Sequence, residues 1–194
     1  MVEAKRVLVV GIAGVGKTTV LNRVKEILKE KDLKVESLTY GTLMLEEAER
    51  LHKVKDRDEL RKLKLQEQRE LQISAAKKIS KANSDIVLID THLLIKSGNI
   101  YLPGLPFDVI KKLKPKLIIL IEAPAKEILK RRKKDSSRKR ETLSKRAIEE
   151  ELKMERELLG TCATLAGAPM LRVMNRENEV DKAAKIIGES LINL

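Results

Sequence analysis

The sequence predicts an α/β protein in which helices cover both faces of a parallel sheet. Short apolar runs alternate five times with longer segments whose apolar residues have helical spacing. The apolar runs are continuous, which is typical of parallel strands buried on both faces. We therefore expect a single domain over residues 1–194 with three layers and five parallel strands in the middle layer.

The first half of the chain shows this alternation clearly. Residues 7–10 (VLVV) are apolar throughout and form the first predicted strand. A helix is predicted over residues 18–31, where apolar residues recur at helical spacing. The further predictions are strands at residues 35–39 and 85–90 and helices at residues 43–51 and 58–79.

The second half repeats the pattern after a segment rich in Gly and Pro. Residues 91–106 are therefore a predicted loop, and the very basic residues 135–141 are another. Strands are predicted at residues 117–122 (LIILIE) and 170–174. Helices are predicted at residues 107–113, 125–134, 144–165 and 180–191.

Composition excludes several classes of protein. The chain has 194 residues, which suits one domain, and its three aromatic residues are too few for a binder that stacks single-stranded bases. A single cysteine, Cys162, excludes an internal disulfide framework and a zinc site built on cysteines. The apolar runs are too short to span a bilayer, and the sequence enters a glycine loop without a signal peptide. We therefore expect a cytoplasmic protein.

A glycine-rich segment between the first strand and the first helix carries the strongest chemical signal. Residues 11–18, GIAGVGKT, match the pattern G-x-x-x-x-G-K-[ST] at every fixed position. Such a loop turns backbone N–H groups toward a phosphate at a positively polarised helix N-terminus. Lys17 adds a full charge near the β- and γ-phosphates, and Thr18 offers a hydroxyl to Mg²⁺. The segment therefore predicts binding of a nucleoside triphosphate.

The rest of the chain favours phosphoryl transfer to a small acceptor. The strand at residues 85–90 ends in Asp90, the natural partner of Mg²⁺ or its water, and no Glu follows it to position a hydrolytic water. Residues 126–146 contain eleven basic and three acidic residues, so they carry +8 of the net charge of +12. Arginines on a mobile segment can exclude water and neutralise phosphates. The alternative for this segment is a solvated basic helix end.

Six segments carry a family resemblance: GIAGVGKTTV, LTYGTLML, KDRDELRKL, IDTHLLIKSGNIYLPGLP, ILKRRKKDSSRKR and ATLAGAP. Together they make the chain similar to the archaeal-type adenylate kinases, which are nucleoside monophosphate (NMP) kinases. The resemblance implies a P-loop kinase fold with a helical NMP-binding part at residues 40–81 and a short basic lid at residues 131–143. It also implies ATP and AMP as substrates, Mg²⁺ as cofactor and a homotrimer.

The resemblance assigns donor-side roles to the glycine loop and to arginines. Lys17, Arg138, Arg140 and Arg156 are the implied catalytic residues. Thr18 and, through water, Asp90 are the implied metal ligands. The implied ATP-binding residues are Gly11, Ile12, Ala13, Gly14, Val15, Gly16, Lys17, Thr18, Thr19 and Arg131.

The acceptor side is less closely matched to the family. The implied AMP-binding residues are Tyr40, Gly41, Thr42, Arg57, Arg61 and His92. Many NMP kinases have Asp where Thr42 stands and Arg where His92 stands, so the choice of acceptor nucleotide is left open. One alternative is therefore a kinase of another nucleoside monophosphate. The other is a kinase-like ATPase associated with RNA or ribosome assembly, which the charge of +12 favours, although we expect no nucleic-acid or membrane partner.

Overall fold

A parallel sheet of five strands forms the centre of the protein. The computed structural model describes residues 4–54, 56–134 and 144–194, with only the backbone of Arg57 and Asp58. The sheet strands are β1 (Lys5–Val10), β2 (Val35–Thr39), β3 (Ile86–Asp90), β6 (Leu117–Glu122) and β7 (Met170–Met174), and a separate hairpin consists of β4 (Leu94–Ser97) and β5 (Ile100–Pro103). Each predicted strand is present, with ends within two residues of those expected.

The strand order places the glycine loop at a reversal in the sheet. The order is β2-β3-β1-β6-β7, so the chain moves from β1 to one side and later returns to the other. Ligands of open parallel sheets bind at the carboxyl ends of the strands beside such a reversal. The loop at residues 11–16 leaves the carboxyl end of β1 at this position.

Helices cover both faces of the sheet and confirm the three-layer α/β fold. They are α1 (Lys17–Lys29), α2 (Tyr40–Arg50), α3 (Arg57–Leu60), α4 (Leu65–Ile79), α5 (Phe107–Leu113), α6 (Ala125–Lys134), α7 (Lys145–Ala166) and α8 (Val180–Ile192). In the described parts of the chain, no helix combines the length and the apolar character that crossing a membrane requires.

Alternate residues of β1 point into two separate cores. Leu8 and Val10 pack with residues of α4, α5 and α7, whereas Val7 and Val9 pack with residues of α1 and α8. The three central strands are buried on both faces, as the continuous apolar runs predict. The edge strands β2 and β7 are partly exposed, since each has a single neighbour in the sheet.

The prediction of a single long helix over residues 58–79 is wrong, because the structure has two helices there. The short α3 ends at Leu60, and α4 begins at Leu65. Local hydrogen bonds hold the break: the Glu67 carboxylate accepts from the N–H of Lys64, and Gln68 Nε2 donates to the carbonyl oxygen of Leu63. Residues 61–64 contain no Gly or Pro, so the apolar periodicity alone did not reveal the break.

The predicted loop at residues 91–106 contains a β-hairpin. Strands β4 and β5 pair antiparallel around a two-residue turn in which Gly98 has a φ of 58°. After β5, the N–H of Gly104 donates to the carbonyl oxygen of Leu93 at 2.8 Å. A Cβ on Gly104 would lie 2.0 Å from the carbonyl oxygen of His92, so the chain crosses here without room for a side chain.

The helix expected at residues 43–51 starts three residues earlier, at Tyr40. Gly41 therefore lies in the first turn of α2. Tyr40 anchors this start, since its side chain is only 2% exposed and its hydroxyl donates to the carbonyl oxygen of Gln72 in α4. A tertiary contact therefore determines where α2 begins.

Gly104→Ala should destabilise the protein by about 1–3 kcal/mol, because the new methyl group overlaps the backbone of His92. Urea unfolding measures this change in the free energy of unfolding. The matched control is Gly160→Ala, in the middle of α7, where a Cβ meets nothing within 4 Å. The free energy of unfolding of that variant should rise by about 0.5–1 kcal/mol, because alanine has a higher helix propensity than glycine. Equal changes for the two variants would contradict the close approach of Gly104 to His92.

Candidate active site

The loop between β1 and α1 needs glycine at three positions. Gly11, Gly14 and Gly16 have φ angles of 146°, 93° and 90°, a region that side chains rarely adopt. A Cβ on Gly11 would lie 2.4 Å from the carbonyl oxygen of Ile121, and a Cβ on Gly16 would lie 2.5 Å from Nδ2 of Asn175. The loop backbone therefore packs directly against the carboxyl ends of β6 and β7.

Three side chains hold the carbonyl oxygens of this loop. Arg132 Nε donates to the oxygen of Ala13 at 2.9 Å, and Arg131 Nη1 donates to that of Val15 at 3.2 Å. The buried amide of Asn175 donates to the same Val15 oxygen at 2.8 Å. Both arginines come from the last turn of α6, and Asn175 follows β7.

These hydrogen bonds orient the N–H groups of the loop. In a trans peptide the N–H points opposite to the C=O of the preceding residue. The N–H groups of Gly14 and Gly16 therefore point away from the side chains that hold the carbonyls of residues 13 and 15. Donors on that face, at the N-terminus of α1, suit the oxygens of a phosphate.

Lys17 lies folded over the start of the loop. Its ammonium donates to the carbonyl oxygen of Gly11 at 2.7 Å and is 3.7 Å from a carboxylate oxygen of Asp90. Nδ1 of His92 is also 2.7 Å from the Gly11 oxygen, to which it donates in the tautomer that carries hydrogen on Nδ1. Lys17 and His92 thus meet at one carbonyl, and Asp90 lies beside the ammonium of Lys17.

Oxygen ligands suitable for Mg²⁺ lie beside the loop. Thr18 is exposed in the first turn of α1, and Asp90 ends β3, where it pairs in register with Val9 of β1. Hydroxyl and carboxylate oxygens are ligands that Mg²⁺ accepts, with phosphates and water completing its shell. Within residues 4–54, 56–134 and 144–194, no group of three or more His, Cys, Asp or Glu could hold a metal by itself. The chemistry of these residues therefore fits an ion that arrives with phosphates.

The predicted acceptor residues are placed differently from one another. Tyr40 is in the core, where burial raises the pKa of its hydroxyl, so its ring serves to join α2 to α4. Gly41 and Thr42 are half-buried in the first turn of α2. Arg61 is exposed in the turn between α3 and α4. The side chain of Arg57 lies outside the described parts of the structure, although its backbone begins α3.

Arg156, predicted to be catalytic, is held by a buried carboxylate. Its Nε donates to Oε1 of Glu122, the last residue of β6, and Arg172 Nε donates to the other carboxylate oxygen at 2.9 Å. Both arginine side chains are about half exposed. The arrangement fixes two guanidinium groups at the carboxyl edge of the sheet. Arg138 and Arg140, with residues 135–143 of the expected lid, lie outside the described residues.

Several of these residues were missed from the sequence. Glu122 is the last residue of β6, and the rule that identified Asp90 applies to this position as well. Arg132 was hidden in a basic run, where nothing distinguishes an inward from an outward arginine. On α7, Glu151 accepts from Arg132 and Glu155 accepts from the N–H of Leu94. Both are among many acidic residues of a charged helix and carry no signal of their own in the sequence.

A buried carboxyl group lies behind the site. Glu155 of α7 is 1% exposed; its Oε1 accepts from the N–H of Leu94 at 3.3 Å, and its Oε2 has no hydrogen-bond partner among the described residues. Burial raises the pKa of Glu155 to about 7, although the Leu94 N–H and the charge of Lys17 favour the carboxylate. The nearby Glu151 raises this pKa further.

Glu155→Gln should alter how stability depends on pH. The folded state binds this proton more tightly than the unfolded chain, so the contribution of Glu155 to stability falls from about pH 4.5 to about pH 7 and is then level in pH. The Gln variant lacks this fall. The difference in free energy of unfolding between the variant and wild type should therefore shift in favour of the variant by on the order of 1–3 kcal/mol between pH 4.5 and pH 8. Urea unfolding at several pH values measures the difference. Glu150→Gln, at an exposed position of α7, is the control, and a Glu155→Gln curve parallel to wild type would contradict the assignment.

The chain is similar to known proteins along most of its length. A family model described as an AAA domain matches residues 10–149. An adenylate kinase of Saccharolobus solfataricus is 44% identical over 191 residues, and one of Sulfurisphaera tokodaii is 43% identical over 190 residues. Each alignment covers 95% of this chain and 98% of the relative.

A solved structure supports the fold. The shikimate kinase from Bacteroides thetaiotaomicron superposes with a TM-score of 0.57 at 16% identity, covering 98% of this chain and 99% of that one. At this identity the likeness concerns the fold alone. The relatives above 40% identity span almost the whole chain. The chain therefore belongs to the adenylate kinase family, within the P-loop proteins that the AAA-domain model covers.

Proposed function

We propose that the chain catalyses reversible transfer of a phosphoryl group from Mg·ATP to AMP, which gives two ADP. The observation that carries this proposal is the loop at residues 11–16, whose carbonyl oxygens are bound by Arg131, Arg132 and Asn175. Its N–H groups are thereby available to donor phosphates before any nucleotide arrives. Membership of the adenylate kinase family supports a nucleotide as the acceptor.

On the donor side, Lys17 exchanges one oxygen partner for another. Its ammonium leaves the carbonyl of Gly11 for the phosphate oxygens, following the transferred group. His92 stays on the Gly11 oxygen, so that buried acceptor keeps a hydrogen bond. The change replaces a neutral partner of Lys17 with a charged one, which strengthens the hydrogen bond.

Mg²⁺ would be held by Thr18 directly and by Asp90 through water. When bound, the ion would neutralise charge on the phosphates. Asp90 is well suited to orient bound water because its carboxylate is also near Lys17, whose charge offsets its own.

The acceptor would approach from the side of β2. Strands β1, β3 and β2 are neighbours, and adjacent strands lie about 4.8 Å apart, so the carboxyl ends of β1 and β2 are separated by about 10 Å. Asp90 at the end of β3 lies between them. We infer that the acceptor base binds beside Gly41 and Thr42 and that Arg57, Arg61 and His92 meet the acceptor phosphate.

Catalysis in this scheme is alignment and charge neutralisation. The attacking phosphate oxygen is already ionised, so no general base is required. Arg138, Arg140 and Arg156 would neutralise charge that develops on the transferred group, and Arg131 would pack against the donor adenine. Such arginines are worth about 10³–10⁵ in rate where they have been measured.

Assembly and compartment are also proposals. We infer a homotrimer, which is supported by large apolar side chains that are exposed in the single chain, among them Phe107 and Leu165, which line one cavity. Light scattering of the purified chain would measure the mass. A cytoplasmic location is proposed from the cytoplasmic nature of the nucleotide substrates.

Lys17→Ala should lower kcat by on the order of 10²–10³, because it removes an ammonium positioned to follow the phosphoryl group. A coupled assay of ADP formation from ATP and AMP measures kcat. Lys29→Ala, at the exposed end of α1, is the matched control and should retain wild-type activity. Similar kcat values for the two variants would contradict the role of Lys17.

An acceptor panel tests the choice of AMP. With Mg·ATP as donor, AMP should give the highest kcat/KM among AMP, GMP, CMP and UMP, and chelation of Mg²⁺ should abolish the rate. Preference for another nucleotide would support the alternative NMP kinase. Tight RNA binding with a steep salt dependence, and no ADP formation with any acceptor, would support the alternative ATPase instead.

A further inference from the structure

One guanidinium connects three segments at the donor site. Arg132, in the last turn of α6, donates from Nε to the carbonyl oxygen of Ala13 at 2.9 Å and from Nη2 to Glu151 of α7 at 2.7 Å. The phosphate loop, α6 and α7 therefore meet at a single side chain. The planar fork of arginine suits this, because its N–H groups point in fixed and different directions.

The Arg132–Glu151 ion pair is more buried than the Arg146–Glu150 ion pair of α7. The side chains of Arg132 and Glu151 are 4% and 13% exposed, whereas those of Arg146 and Glu150 are 90% and 61% exposed. Exposed pairs contribute little, but loss of one partner from a buried pair leaves an uncompensated charge. The guanidinium of Arg132 cannot become solvated unless it breaks its hydrogen bond to the carbonyl oxygen of Ala13.

The loop is also packed tightly on this side. A Cβ on Gly14 would lie 3.2 Å from Cγ of Arg132 and 3.2 Å from Cγ2 of Ile128. The peptide that joins Ala13 to Gly14 is thus held by a hydrogen bond at its oxygen and by contact with α6. Its N–H is among those that the donor phosphates would meet.

We propose that the Arg132–Glu151 ion pair is a positioning element for the donor nucleotide. Glu151 holds the guanidinium of Arg132, and Arg132 holds the Ala13–Gly14 peptide with its N–H toward the phosphate side. The inference rests on donor binding at the loop, as proposed above. It predicts an effect on ATP that is not shared by AMP, since Arg132 and Glu151 act on the donor loop.

The experiment compares Glu151→Ala with Glu150→Ala, its exposed neighbour on α7. Glu151→Ala should weaken binding of Mg·ATP about tenfold or more in calorimetric titrations without acceptor, because an ionic hydrogen bond of this kind is lost. Its KM for AMP at saturating ATP should stay within about twofold of wild type. Glu150→Ala should match wild type in both measurements.

A double-mutant cycle adds a readout that a purely structural role would not move. If the pair acts as a unit, Arg132→Met with Glu151→Ala should bind ATP no more weakly than Arg132→Met alone. Equal losses for ATP and AMP, or a lower Tm with unchanged ATP affinity, would overturn the proposal. Should Glu151→Ala fail to fold, Glu151→Gln keeps an acceptor for Arg132 and should show the same selective loss at smaller size.

The two proposals can fail separately. If wild-type protein binds ATP but forms no ADP with AMP, the proposed reaction is wrong, while the titrations still test the ion pair. If wild type is an active adenylate kinase and Glu151→Ala binds ATP normally, only the ion-pair proposal is wrong.

Discussion

The site depends on hydrogen bonds made to the outer side of the phosphate loop. A loop that offers N–H groups to an anion must direct its carbonyl oxygens elsewhere, and buried carbonyls need donors. Here the donors are side chains of Arg131, Arg132 and Asn175, which come from α6 and from the end of β7. These contacts link the loop to the strand order, since α6 and residue 175 reach it only because β6 lies beside β1 and β7 lies beside β6.

The same contacts give two of the basic residues of α6 a structural role. The last turn of α6 has four consecutive basic residues, which by charge alone would be a surface for phosphates or nucleic acid. Two of them are turned inward, where Arg131 pairs with Glu127 and Arg132 pairs with Glu151. Part of the positive charge at this site is therefore structural, and it supports the loop from the side opposite to the predicted phosphates.

Helix α7 joins the separate parts of the site. Glu151 reaches Arg132, Glu155 accepts from the hairpin that follows His92, and Arg156 binds Glu122 at the end of β6. These residues fall on neighbouring positions of the helix because residues 151 and 155 are one turn apart. Movement of α7 would consequently affect the phosphate loop, the segment after Asp90 and the edge of the sheet together.

The sequence by itself determined the fold class, the sheet strands, the phosphate loop and the family. Each of these depends on local information: continuous apolar runs, a fixed spacing of glycines with Lys17, and residue patterns along the chain. It did not determine the break between α3 and α4, which depends on side chains of Glu67 and Gln68 binding nearby backbone groups, or the β4–β5 hairpin in a Gly- and Pro-rich segment.

The tertiary structure decided which polar residues face inward. Tyr40, interpreted from sequence as bordering a base, is a core residue because its hydroxyl finds the Gln72 carbonyl on another helix. Arg132 and Asn175 support the loop because their elements pass beside it, more than a hundred residues away in the sequence. The local sequence determines which hydrogen bonds and ion pairs a side chain can make, whereas the packing of distant segments determines which partner the side chain meets.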